Sequence, residues 1–277
     1  MERIKGFLEN CPEDLWKILI TAGKAAVEAG TYIRDQYGQP HQVKHKGEID
    51  LVTEVDTAAE KIICQRLSQY FPDIPFMAEE SSRSSDRIPE GAVWIIDPLD
   101  GTTNFAHAFP WFAVSIAYAE EGRIRSGVIY HPLRDEFFYA ASGFGAWLNG
   151  ERIRVSDSPD LSGSLLATGF PYSIQDDVQQ VLGAMEAILT RCQGVRRAGA
   201  AALDLAYLAC GRLDGFWEIK LKPWDTAAGL LLVEEAGGMV TDFTGSPYSP
   251  TVPEIAASNG HIHQEMVQHL SPFSIIR

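Results

Sequence analysis

The stretch WIIDPLDGTTNF, residues 94–105, decides how the rest of the chain is read. An apolar run, Trp94-Ile95-Ile96, ends at Asp97, and a second carboxylate, Asp100, follows three residues later. Pro98 stands between them, and Gly101-Thr102-Thr103-Asn104 comes after. Two carboxylates about 4 Å apart repel by roughly 4 kcal/mol at an effective dielectric near 20. Either one takes a proton or a cation sits between them. Oxygen ligands on a rigid turn suit Mg2+ or Mn2+, not zinc. The Leu99 carbonyl, turned outward between Pro98 and Gly101, is a further candidate ligand. From Gly101 onward the sequence reads as a helix start, whose unpaired N–H groups can hold a phosphate. A capped acidic turn would account for Asp-x-x-Asp alone, but not for the whole string placed after a buried strand.

The surrounding chain is that of a soluble globular protein. It has 277 residues, 45% hydrophobic and 22% charged, enough for one large domain or two intimate ones. No apolar run approaches the 18 residues or so of a membrane span, and the N-terminal residues lack the apolar core of a secretory signal. The net charge of −14 argues against a nucleic-acid or anionic-membrane partner. An anionic substrate stays compatible with that charge, because a bound divalent cation reverses the local sign. Cys11, Cys64, Cys192 and Cys210 form no CxxC pair and read as free thiols of a reducing cytoplasm.

Periodicity predicts a long helix over about 12–37, where Leu15, Ile18, Leu19, Ala22, Ala26, Ala29 and Ile33 share a face. A polar loop follows, then a second helix from near Asp56 to Phe71-Pro72. Short β-branched and aromatic runs from Val93 to Ile153 predict strands, with Asn149-Gly150 as a type I′ hairpin turn. Helices are predicted again over about 177–191, 200–210, 226–236 and 264–270, with strands near 165–168, 215–219, 239–242 and 255–258. A turn-rich segment around 155–164 sets the expected boundary between an N-terminal half, 1–155, and a C-terminal half, 156–277, of one compact unit.

Other carboxylates could join the first pair. Glu79-Glu80 follows a short apolar segment, and DLVTEVD places Asp50, Thr53, Glu54 and Asp56 in the loop before the second helix. Asp225 opens an apolar helix whose small residues, Ala227-Ala228-Gly229, permit close packing on a neighbour. Solvated loops and helix caps are the plain alternatives for each taken alone. Lys220 and Lys222, in EIKLKPWD, add positive charge nearby.

Taken together, WIIDPLDGTTNF with FPWFAVSIA, and WDTAAGLLLVEEAGG, resemble the inositol monophosphatase family of metal-dependent phosphatases. DLVTEVD, AEES, ATGFP and ALDLAYLACGRLDGFWE occur in matching order, so the resemblance runs from about residue 22 to 260 and looks closest to bacterial and plastid-type members. It implies an α/β, five-layer α-β-α-β-α sandwich. It implies a first Mg2+ on Glu79, Asp97 and the Leu99 carbonyl, a second shared by Asp97 and held by Asp100 and Asp225, and a weaker third near Glu79. Asp50 and Thr102 would activate the attacking water, and the N–H groups of Gly101 and Thr102 would hold the phosphate. Glu218 would meet the ring hydroxyls of inositol, and Asp100, Gly199, Ala200 and Ala201 would line the same pocket. A small phosphorylated polyol substrate, inhibition by Li+ and a homodimer are implied as well. One departure is Ala200, where many members carry Thr or Ser. Fructose 1,6-bisphosphate, histidinol phosphate and adenosine 3′,5′-bisphosphate are the alternative esters. The competing readings are a covalent aspartyl-phosphate mechanism at Asp97 and a non-catalytic interaction protein on the same scaffold.

Overall fold

The computed structural model describes residues 11–39, 43–45, 51–82 and 87–276. The long N-terminal helix α1 (Glu13–Gln36) buries Leu15, Ile18, Leu19, Ala22, Ala26, Ala29 and Ile33, the face predicted from periodicity. The segment after it contains a short antiparallel pair, β1 (Val43–His45) and β2 (Leu51–Thr53), where only a loop is expected from sequence. Helix α2 (Glu54–Tyr70) starts at a capping box formed by Thr53 and Asp56.

A seven-stranded sheet follows in the order β3-β4-β5-β6-β7-β8-β9. Its strands are β3 (Phe76–Ala78), β4 (Val93–Asp100), β5 (Ala113–Glu120), β6 (Arg123–His131), β7 (Glu136–Ala141), β8 (Ala146–Leu148) and β9 (Glu151–Ile153). A short helix, α3 (Thr102–Ala106), leaves the end of β4. β3 pairs with β4 in parallel and the other neighbours are antiparallel. Asn149 and Gly150 have φ of 51° and 94°, the two positive values a type I′ turn needs. β3 was not predicted; three residues are too few to show an alternation.

The second sheet has five strands, ordered β11-β10-β12-β14-β13. They are β10 (Leu165–Thr168), β11 (Gly194–Arg196), β12 (Gly215–Ile219), β13 (Met239–Thr241) and β14 (Glu254–Ser258). Between them in sequence lie α4 (Ile174–Leu189), α5 (Ala201–Ala209) and α6 (Pro223–Glu235), and α7 (His263–Leu270) closes the order of helices. α6 begins three residues before the expected position because Pro223 occupies its first turn, where the missing N–H costs nothing.

Three apolar layers glue five structural ones. Leu19, Ile33 and Ile63 of α1 and α2 pack with Trp94, Ile96 and Tyr130 on one face of the large sheet. Val93, Ile95 and Ile129 on the opposite face pack with Leu203, Leu205 and Leu232 of α5 and α6, and Phe216 and Ile255 of the small sheet join that cluster. Trp217 and Ala256 face outward from the small sheet onto Val181 of α4 and Met266 of α7. The order is therefore α1/α2, large sheet, α5/α6, small sheet, α4/α7, the expected five-layer α/β sandwich. Strand alternation explains it: Val93 and Ile95 point one way, Trp94 and Ile96 the other. Among the described residues no helix is long and apolar enough to cross a membrane.

Candidate active site

β4 is buried along its whole length, so its apolar residues carry two carboxylates into the interior. Asp97 and Asp100 are 2% and 8% exposed. Pairing with β5 slips between them, Asp97 facing Ser115 and Asp100 facing Ala113. One extra residue on β4 therefore bulges at Pro98-Leu99, and a bulge re-aims side chains at a strand end. Gly101 follows with φ of 95°; a Cβ there would stand 2.9 Å from the Trp111 carbonyl oxygen, so the turn admits glycine only.

Backbone amides steady each acid. Leu99 N donates to Asp97 Oδ1 at 3.0 Å, Ala202 N at the start of α5 donates to Asp100 Oδ2 at 2.7 Å, and Lys222 N donates to Asp225 Oδ2 at 2.6 Å. Glu79 is set beside the end of β4 because its N–H donates to the Ile96 carbonyl at 3.1 Å. Burial, followed by the neighbouring charges of Glu79, Asp100 and Asp225, holds the Asp97 carboxyl well above the usual carboxylate range. Burial also pushes Asp100 up to about 7, partly offset by the Ala202 amide. Glu218 lies well above its ordinary value through burial, then Asp225 and Asp204, and Asp204 through burial, then Asp100.

These groups face two adjoining cavities. One, of about 220 Å3, is lined by Glu79, Asp97, Leu99, Thr102 and Asp225. The other, of about 300 Å3, is lined by Asn104, Arg197, Gly199, Ala200 and Ala201. Asp100, Gly101, Glu218 and Asp225 border both. The structure thus brings together Glu79, Asp97, Leu99, Asp100, Gly101, Thr102, Asp225 and Glu218, with Gly199, Ala200 and Ala201 on the adjoining wall. Asp50 lies outside the described residues.

The partner of Thr102 is Asp56, one of the DLVTEVD acids expected either to join the site or to cap the second helix. Thr102 Oγ1 donates to Asp56 Oδ1 at 2.6 Å, while Asp56 Oδ2 accepts the Thr53 N–H at 2.8 Å. Asp56 is fully buried. The Thr53-x-x-Asp56 spacing explains one carboxylate oxygen as a helix cap, and nothing local in the sequence points to what the other oxygen does. Arg197 and Asp204 were missed. Lys220 is not a spare cation at the site: its ammonium donates to Asp177 of α4 at 2.7 Å.

The donor set fits a hard divalent cation. It is all oxygen, and its carboxyls raise one another's proton affinity, a repulsion that a cation would reverse. Among the described residues no three Asp, Glu, His or Cys side chains are already drawn onto one point as a closed cage. Mutual repulsion alone would spread such acids.

Fold and site define a class of protein, and the chain matches the Inositol monophosphatase family over residues 14–274. It belongs to that family. Its relatives include the Nus factor SuhB of Escherichia coli K12, 44% identical over 255 residues, covering 91% of this chain and 95% of that protein. The inositol-1-monophosphatase of Synechocystis is 43% identical over 261 residues, covering 94% of this chain and 91% of that protein. Among solved structures, the extragenic suppressor protein suhB of Bartonella henselae superposes with a TM-score of 0.86 at 43% identity, covering 92% of this chain and 98% of that one. The inositol monophosphatase of Anabaena superposes with a TM-score of 0.84 at 40% identity, covering 94% and 97%.

Proposed function

We propose that this protein hydrolyses a phosphate monoester of a small polyol, inositol 1-phosphate first among the candidates, with Mg2+ or Mn2+ as cofactor. The observation that carries the reading is the convergence of Glu79, Asp97, Asp100 and Asp225 on one cavity, where burial and like charge raise the proton affinity of Asp97, a repulsion that a bound cation would relieve. Glu79, Asp97, the Leu99 carbonyl, Asp100 and Asp225 would hold two ions, with a weaker third near Glu79. When bound, divalent ions supply charge stabilisation for the transferring phosphoryl group and its leaving oxygen.

The chain's own residues do the rest. Thr102 has a single hydroxyl proton, and the short line to Asp56 claims it. The lone pairs of Oγ1 are left to accept from a water in the cavity. As that water attacks phosphorus, its proton passes to Thr102 while Thr102 passes its own to Asp56, a general-base relay. Asp56 thus joins Thr102 in the proton relay, and the role expected of Asp50 stands beside it, that residue lying outside the described ones. The N–H groups of Gly101 and Thr102 hold phosphate oxygens. α3 spans five residues, so these local amides act without a long helix dipole behind them. Glu218, buried and inclined to keep its proton, meets a substrate hydroxyl as donor or acceptor.

A phosphate-release assay on a panel of esters, with Mg2+ and with chelator, tests this. Release that requires the metal is expected; no release from any ester would end the reading. Under the same proposal Li+ lowers the rate. A homodimer is proposed from the outer face of α4, where Val178, Leu182 and Leu189 stand 36%, 56% and 49% exposed on one stripe; sedimentation of a monomer at micromolar concentration would refute it. A second reading, a non-catalytic interaction role, draws on the relatives named Nus factor SuhB. Absence of turnover in the same assay favours it.

A further inference from the structure

The substrate pocket contains a cation that the hydrolytic machinery does not use. Arg197 lines the 300 Å3 cavity together with Asp100, Glu218 and Gly199. Its guanidinium lies over the Phe170 ring, 4.9 Å from the centroid, an arrangement that restrains an otherwise mobile side chain. Gly199 makes room for it: a Cβ at that position would fall 2.7 Å from Arg197 Nη1. Among the described residues no carboxylate stands within ion-pair distance of Arg197, although the chain has 37 acids. Its charge nonetheless eases Glu218, in the cavity lining, and Asp204 toward their ionised forms. Next to it, Ala200 offers no hydroxyl. A guanidinium held over a ring and without a carboxylate partner among the described residues presents planar N–H donors matched to an oxyanion.

We infer that Arg197 is a specificity-determining residue that binds a second oxyanion on the substrate, at the end remote from the scissile phosphate. The inference rests on the phosphatase reading above and narrows it. The substrate class becomes a polyol that carries a hydroxyl toward Glu218 and a second phosphate or a carboxylate toward Arg197.

The test compares three esters of one carbon skeleton in Mg2+: the polyol monophosphate, the bisphosphate, and the monophosphate with a carboxylate at the far end. The wild type should favour at least one two-anion ester over the monophosphate by about tenfold or more in kcat/KM, the usual worth of a hydrogen bond between charged groups. The better of the two identifies the oxyanion. In Arg197→Gln that preference should fall to within about twofold of unity, with the loss in KM and not in kcat; Arg197→Lys should keep part of it. Calorimetric Kd values for the matching non-hydrolysable phosphonates should show the same ratio without turnover, and thermal melts confirm that the variants fold. A wild type that ignores or disfavours the second anion overturns the inference, as does a preference that survives in Arg197→Gln. Failure to release phosphate from any of the three esters would instead overturn the phosphatase reading itself.

Discussion

At the scale of single residues, the site depends on acids that serve more than one neighbour. Asp97 is the most constrained, being buried and pressed by three other carboxylates. Asp97→Asn is expected to lower turnover by at least about a thousandfold, as removal of a central electrostatic group does, and to abolish tight Mg2+ binding in calorimetry. A near-normal rate at saturating Mg2+ would contradict the proposed ligand set. Asp56 and Thr102 act as a unit, so Asp56→Asn and Thr102→Ala should each lower kcat by about a hundredfold. The double variant should be little worse than either single, because the two share one function; multiplicative losses would separate them. Asp56→Asn also weakens the cap of α2, at about 1 kcal/mol, so rates belong well below the melting temperature. The legibility of the site follows the same division. Asp97, Asp100 and Glu79 stand at the ends of apolar runs and could be read there. Asp56 could be read as a candidate acid or a helix cap, but its contact with Thr102, 46 residues away, could not.

At the scale of elements, α6 is the piece whose placement sets Asp225. It approaches the large sheet closely: a Cβ on Gly127 of β6 would lie 3.0 Å from the Ala228 backbone, and one on Gly229 would enter Leu205 of α5. The run Ala227-Ala228-Gly229 foretold such an approach without naming the surface it meets. Gly127→Val should cost about 1–3 kcal/mol by overpacking and weaken Mg2+ binding as Asp225 is displaced; unchanged metal affinity with a lowered Tm would show that Asp225 does not depend on this contact. Long elements were legible throughout. α1 showed its stripe over six turns and β5 to β7 their aromatic and β-branched runs. β3 and β11 have three residues each and, unlike the equally short β8 and β9 with their Asn149-Gly150 turn, no hairpin signal beside them, because their pairing partners lie elsewhere in the chain. Lys220 shows the converse: its charge was legible, but only the approach of α4 reveals that Asp177 claims it.

At the scale of the whole molecule, the α5/α6 layer packs against both sheets. We propose that the two halves on either side of the 154–164 connector unfold together; calorimetry should give one transition, and two resolved ones would refute the proposal. Acids whose proton affinity rises on folding stabilise the fold where they are protonated, and that contribution is lost as pH climbs through the folded value. Asp97, Asp100, Asp204 and Glu218 all shift upward, Asp100 to about 7. The metal-free protein should therefore melt at lower temperature at pH 8 than at pH 5.5, and Mg2+ should raise the Tm most at pH 8. A Tm that rises with pH in chelator would run against the assigned shifts.

The forked carboxylate of Asp56 has an evolutionary corollary. One prong starts a helix that every folded copy needs, and the other reaches across to Thr102. A lineage that gave up hydrolysis should therefore keep Asp56 whatever becomes of Thr102, leaving a vestige of the reaction in a protein that no longer performs it.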